Sequence, residues 1–308
     1  MRRACLRNCR DAKRVTAPNA LTRYYPKMNH HPALAAANTA IITGAANGIG
    51  LAAAKRFAGF GMHVILADMP GDSLDRAQAA VAGMPNSGEV LTVPTDVADF
   101  EAVRALRDLA YQRFRTVSVL MNNAGVGRGG GAFDDIAAWR KVIGTNLWGV
   151  IHGINAFAEP MVSQAIPALI INTGSKQGIT TPPGDTAYNV SKAGVKVATE
   201  GLQHELRNRP GCLVSAHLLV PGFTFTGMTG RVDKPAAAWT ADQVVDEMLK
   251  GIAAQQFYII CPDNDVTAEM DRKRMRWAAN DVIERRPPLS RWHPDYVDAF
   301  NAHMAAEE

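Results

Sequence analysis

The chain has 308 residues, 47% hydrophobic and 20% charged, a composition that excludes a disordered or fibrous protein and leaves ample length to bury a core. The formal net charge of +4 misleads, because residues 1–27 hold eight Lys or Arg against one acid and so leave residues 28–308 at −3. That mildly acidic remainder lacks the footprint of a nucleic-acid binder, and no run of about 18 apolar residues offers a membrane span.

Four cysteines are too few and too scattered for a disulfide framework, and Cys5 and Cys9 lack both zinc-ligand spacing and a partner pair. This usage fits a reducing cytoplasm. The arginine-rich start has neither serine nor an apolar h-region, so it reads as a basic tail rather than a transit peptide or secretory signal, with Met28 as an alternative initiator. The expected division is a disordered tail at 1–37, a dinucleotide-binding catalytic domain at 38–262 and a helical extension at 263–308.

In chain order, the apolar run Thr39–Ile42 leads into Thr43-Gly44-Ala45-Ala46-Asn47-Gly48-Ile49-Gly50, and apolar residues then recur at helical spacing from Leu51 to Phe60. This predicts a strand, a tight turn and a helix start. Glycines at 44, 48 and 50 would let a pyrophosphate approach the backbone, where the helix start offers unpaired N–H groups and a positive dipole end. Three glycines in G-x-x-x-G-x-G spacing suit an ordinary turn equally well. The strand His63–Ala67 ends in Asp68, 18 residues past Gly50, where a carboxylate can accept both hydroxyls of an adenosine ribose and repel a 2′-phosphate. No basic residue stands at Asn47 or Met69, so the pattern favours NAD over NADP.

A helix over Asp72–Gly83, a strand over Glu89–Val93 leading to Asp96-Val97, an amphipathic helix over Phe100–Phe114 and a buried strand over Val117–Met121 complete βαβαβ order, hence parallel strands. Asn122-Asn123-Ala124-Gly125 then turns the chain, and its amides suit caps as well as cofactor contacts. A long helical pattern from Asp135 to Val162 carries Asn146 in its middle, a poor helix former that wants a partner there. The strand Leu169–Asn172 delivers Thr173-Gly174-Ser175 to its carboxyl end, the edge at which open α/β sheets bind ligands. In the helix predicted over 186–209, Tyr188 and Lys192 lie four apart on one face. A phenol ionises near about 10 and a neighbouring ammonium favours the phenolate, which makes the pair a candidate acid/base. The same spacing is common on helix surfaces.

Together, Thr43-Gly44-x3-Gly48-x-Gly50, Asp68, Asp96, Asn122-Asn123-Ala124-Gly125, Asn146, Ser175, Tyr188-x3-Lys192 and Pro221-Gly222 stand in the order and spacing of the short-chain dehydrogenases/reductases, which the chain resembles over about residues 38–260. The resemblance implies a single Rossmann-like α/β domain, a doubly wound seven-stranded parallel sheet flanked by helices. It implies Tyr188 as acid/base, Lys192 as the residue that binds the nicotinamide ribose and lowers the tyrosine pKa, Ser175 as the hydrogen-bonding partner of the substrate oxygen, and Asn146 as the holder of a relay water. It places Gly44, Asn47, Gly48, Ile49 and Gly50 by the pyrophosphate, Asp96 and Val97 by the adenine, and Asn123, Ala124 and Gly125 along the adenosine ribose and the sheet. Pro221, Gly222 and Thr226 would close over the nicotinamide carboxamide. The family often has Val two residues after that glycine, where this chain has Phe223-Thr224-Phe225. The implied activity is that of a homo-oligomeric (dimeric or tetrameric) alcohol dehydrogenase or ketone reductase, NAD preferred over NADP. A dinucleotide-binding regulator without turnover is the alternative, against which the intact Ser175, Tyr188, Lys192 and Asn146 argue.

Further on, Val244–Ala253 reads as a helix, Phe257–Ile260 as a last strand and Val266–Arg286 as a charged helix stopped by Pro287-Pro288. The aromatic tail Trp292, His293, Tyr296 and Phe300 can cover a substrate mouth, pack on a sister subunit or staple the domain. No histidine sits in a metal-ligand pattern, so no metal is expected. The expected substrate lining is the loop after Ser175 (Gln177, Ile179, Pro182, Pro183) and the loop after Gly222 (Phe223, Phe225, Met228). Its apolar character favours an uncharged, hydrophobic secondary alcohol or ketone. An anion would need a cation to offset its desolvation. Lys176, expected to face solvent, and Arg231 are the nearby candidates.

Overall fold

Seven short runs rich in β-branched and large aliphatic residues form β1 (Thr39–Thr43), β2 (His63–Asp68), β3 (Val90–Pro94), β4 (Val119–Asn122), β5 (Ala168–Thr173), β6 (Val214–Val220) and β7 (Tyr258–Ile260). They pair in parallel in the order β3-β2-β1-β4-β5-β6-β7. The computed structural model describes residues 30–127, 129–230 and 232–306. Residues 1–27, read as a basic tail, and Arg231 lie outside the described residues.

Parallel strands need covering on both faces, so neighbouring residues along a strand are apolar in both directions. Ile42, Leu66, Met121 and Ile171 face one side, against α1 (Gly48–Gly59), α2 (Asp72–Ala82) and α8 (Ala241–Ala253). Ile41, Ile65, Leu120 and Ile170 face the other, against α3 (Phe100–Phe114), α5 (Gly149–Ser163) and α7 (Thr186–Asn208). The strand order reverses at β1 and β4, so the chain leaves the carboxyl ends of these two strands in opposite directions and a crevice opens above them. No helix among the described residues is long and apolar enough to cross a membrane.

Three expectations change. The boundary at residue 37 falls inside the folded region: a 3-10 turn at Pro32–Leu34 buries Ala33 and Leu34 in the core, and the Asn38 amide donates to Pro32 O and Ala33 O. The long helix from 135 is interrupted, running as α4 (Ile136–Ile143), a π-helical turn at Gly144–Trp148 and then α5. The predicted charged helix is α9 (Ala268–Ile283), and the aromatic tail folds back on it as α10 (Val297–Ala305), with Phe300 edge-on to Trp277 at 5.3 Å and Lys273 donating to Met304 O and Ala306 O. Within the chain the tail therefore acts as a staple.

The imidazole of His31 is buried beside that of His217, and burial pulls its pKa from 6.5 down to about 4, with the His217 charge adding to the fall. The unfolded chain therefore takes up this proton first as pH drops. Stability is intact above about 6.5 and is lost toward pH 4, by up to about 3 kcal/mol for this site. Unfolding free energies should fall more steeply over that window in the wild type than in His31→Gln; parallel curves would contradict a buried neutral imidazole.

Candidate active site

The crevice is built on a knot between β1 and β4. The Thr43 hydroxyl accepts from Asn123 N at 2.9 Å and Ala124 N at 3.1 Å, and the Asn123 amide donates back to Thr43 O and Gly44 O. The chain turns here with Gly44 at φ +65°, and a Cβ on Gly44 would lie 2.7 Å from Ala124 Cα. One on Gly50 would lie 2.2 Å from Gly44 O. The chain's own close packing therefore requires both glycines, a reason that the spacing alone does not show. A Cβ on Gly48 would meet the Thr226 methyl at 2.9 Å. The Asn47 side chain does not cap α1 and no acid stands in its first turn, so the N–H groups of the helix start remain available to a ligand.

The cleft over this knot has a volume of about 1290 Å³, more than the roughly 300–1,000 Å³ of a drug-sized pocket. Gly44, Asn47, Gly48, Ile49, Asn123, Ala124 and Gly125 line its middle. At one end Asp68 accepts from Ala46 N at 2.8 Å and Met69 N at 2.7 Å, which leaves lone pairs for further donors. Asp96, bonded to Ala98 N, and Val97 line the wall beside it. Arg140, Lys141, Gly144 and Thr145 line this region as well. Sequence reading missed them, because only the π-helical turn and the packing of its flanks bring them there. One signal was available in Gly149, whose Cβ would meet Val97 Cγ2 at 2.6 Å.

At the other end stand Ser175, Tyr188 and Lys192, with Gln177, Pro221, Gly222, Phe223, Thr226 and Met228 around them. Asp185 caps α7 by accepting from Tyr188 N and also holds Gly129 N. The buried Lys192 ammonium donates to Thr173 O at 2.8 Å and lies 5.8 Å from the Tyr188 ring centroid. Burial lowers its pKa from 10.5 to about 8. Burial raises that of Tyr188, with Ser175 opposing through a hydrogen bond and Asp185 adding to the rise. The ammonium was expected to bring the phenol down; instead the burial of the phenol dominates and raises it.

Asn146 is fully buried behind the wall, bonded to Val126 N at 2.7 Å, Val126 O at 2.8 Å and Ser191 Oγ at 3.2 Å. The π-helical turn gives this amide its partners, and π turns recur at functional sites. Gly50 also sits behind the wall. Pro183 is exposed and outside the lining, and the half-buried Ile179, Pro182 and Phe225 lie outside it too; the segment after Gln177 coils into the short α6 (Gln177–Thr180), where Ile179 packs against the core. Lys176 departs from expectation: its side chain is only 15% exposed, and its Nζ lies 2.6 Å from Asp271 and 3.5 Å from Asp263.

Residues 38–237 match the family model described as short chain dehydrogenase. The chain is a member of the short-chain dehydrogenase/reductase family. A 1-deoxy-11-beta-hydroxypentalenate dehydrogenase from Streptomyces exfoliatus is 31% identical over 228 residues, covering 71% of this chain and 81% of its own. A short-chain dehydrogenase/reductase from Burkholderia phymatum, solved with NAD, superposes with a TM-score of 0.74 at 33% identity, over 82% of this chain and 96% of that one. A metagenomic member solved with NADP gives a TM-score of 0.62 at 26% identity, over 74% and 98%. Family members are oxidoreductases that use a nicotinamide dinucleotide, and this chain has their seven-stranded Rossmann-like fold.

If Gly50 serves the chain itself, Gly50→Ala should cost about 1–3 kcal/mol of stability with no dinucleotide present, the scale of overpacking. A thermal melt of the ligand-free variant checks it. An unchanged melt with weakened dinucleotide binding would return Gly50 to the ligand.

Proposed function

We propose that the chain transfers hydride between NAD and an uncharged, hydrophobic secondary alcohol or ketone. The observation that carries this reading is the convergence of the Ser175 hydroxyl, the Tyr188 phenol and the Lys192 ammonium at one end of a cleft whose other end holds the Asp68 carboxylate. The residues fit a dinucleotide: an open helix start for phosphate, a strand-end carboxylate for ribose hydroxyls, and a buried ammonium with donors to spare beyond Thr173 O. A bound nicotinamide would supply the hydride acceptor or donor.

The protein's own groups would manage the proton. Ser175 holds the substrate oxygen, and Tyr188 takes its proton as phenolate in oxidation or gives one as phenol in reduction. Burial holds the phenol toward its protonated form, so a phenolate able to act as base forms more readily as pH rises. Lys192 binds the nicotinamide ribose. Asn146 holds the loop at Val126 and, through Ser191, the Tyr188 helix.

Asp68 supports NAD over NADP, since its charge stands where a 2′-phosphate would go. The Burkholderia structure holds NAD. NADP is the second reading, favoured by Arg140 and Lys141 on the same cleft wall. For the substrate, Phe223, Met228 and Val126 make an apolar wall, and Lys176 is held by two carboxylates and so is not offered to an anion. The Streptomyces relative is named for a hydroxylated carboxylate, which supports an alcohol as the reacting group and speaks against the uncharged part of the reading.

One assay grid tests the reading: a panel of aliphatic, alicyclic and terpenoid-like alcohols with carboxylated and phosphorylated counterparts, each with NAD and NADP, on the wild type and Asp68→Ala. The neutral hydrophobic members should react best with NAD, and Asp68→Ala should shift the cofactor preference toward NADP by about tenfold or more, roughly 1.4 kcal/mol. A wild-type preference for NADP would sink the Asp68 argument; superior charged substrates would sink the reading of the pocket.

A further inference from the structure

Lys176 directly follows Ser175, and its ammonium is buried between two carboxylates from beyond the sheet, Asp263 after β7 and Asp271 in the first turn of α9. Three chain segments meet around it. Lys176 N approaches Pro221 O at 3.5 Å. Asp263 Oδ2 accepts from Phe223 N at 3.1 Å, and its Oδ1 from Asp265 N and Val266 N. Gly222 lies against the cluster so closely that a Cβ there would meet Asp263 Oδ2 at 2.8 Å, Lys176 Nζ at 2.9 Å and Cys261 O at 3.0 Å. Gly222 is thus packed directly on the ion cluster, and any side chain there would have to displace it.

Burying one ammonium with two carboxylates is costly, and such clusters contribute little net stability; in some proteins they fix geometry instead. Burial pushes the Asp271 carboxyl up, with Lys176 opposing. We propose that Lys176, clamped by Asp263 and Asp271, is a positioning residue that sets Ser175 and the Pro221–Phe223 segment about the reacting atoms, making the extension beyond β7 a working part of the site. This rests on the reading of Ser175 and Tyr188 given above. A loosened clamp displaces a donor by a fraction of an ångström to an ångström, and a 1 Å misplacement can cost about 10²-fold in rate.

The test measures single-turnover hydride transfer and NAD affinity for the full chain as wild type, Lys176→Met, Lys176→Arg, Asp271→Asn, the double variant Lys176→Met/Asp271→Asn, and Tyr188→Phe. Lys176→Met and Asp271→Asn should each slow hydride transfer about 10- to 100-fold while NAD affinity stays within about threefold. The double variant should be no slower than the slower single, because both act through one contact, and Lys176→Arg should recover most of the rate. Rates within about twofold of wild type, losses that multiply in the double variant, or equal losses in NAD affinity overturn the clamp. Should Lys176→Met fail to fold, Asp271→Glu carries the test: a slower step at an unchanged melting temperature supports the clamp, and an unchanged step overturns it. An active Tyr188→Phe removes the reading of the site and the clamp with it; an inactive Tyr188→Phe beside a fully active Lys176→Met removes the clamp alone.

Discussion

The structure depends on how closely β1 and β4 approach where the strand order reverses. The Thr43 hydroxyl and the Asn123 amide bind the two strand ends to each other, and the turn after β1 can pass between them only because Gly44 and Gly50 carry no side chain. That knot fixes where α1 begins, and its open start faces the crevice. Asp68 braces the same turn from the neighbouring strand, so one carboxylate both shapes the floor of the cleft and sets the charge at its end. Fold and site are here one set of contacts.

At the opposite end the electrostatics run against simple expectation. A tyrosine four residues from a lysine on one helical face suggests a phenolate held by an ammonium. Burial disfavours both charges, raising the phenol and lowering the ammonium. Burial favours the proton on Tyr188, with a hydrogen bond from Ser175 working against the rise. Ionisation of the phenol then depends on what enters the cleft and on pH.

What was legible in the sequence is what local chemistry determines. Alternating apolar runs gave the sheet and its covering helices, the strand-end position placed Asp68, and the helical period put Tyr188 and Lys192 together. Contacts between distant segments were not legible. Nothing near Asn146 announces that the helix widens into a π turn so that this amide can hold Val126. Lys176 looks like a surface lysine until Asp263 and Asp271, some ninety residues on, fold against it. Gly50 reads as a ligand glycine because spacing cannot show that Gly44 O occupies the space. Ala33 and Leu34 follow a basic, aperiodic stretch, and only tertiary packing assigns them to the core.

The central claim is that the Tyr188 hydroxyl carries the proton of a hydride-transfer reaction. Its most direct measurement is turnover and NAD affinity of Tyr188→Phe on the best neutral alcohol. The account predicts nearly unchanged NAD binding and turnover reduced by about 10² or more, the scale of general acid–base catalysis. Turnover within about tenfold of wild type at unchanged NAD affinity would contradict it and move the chemistry to another group.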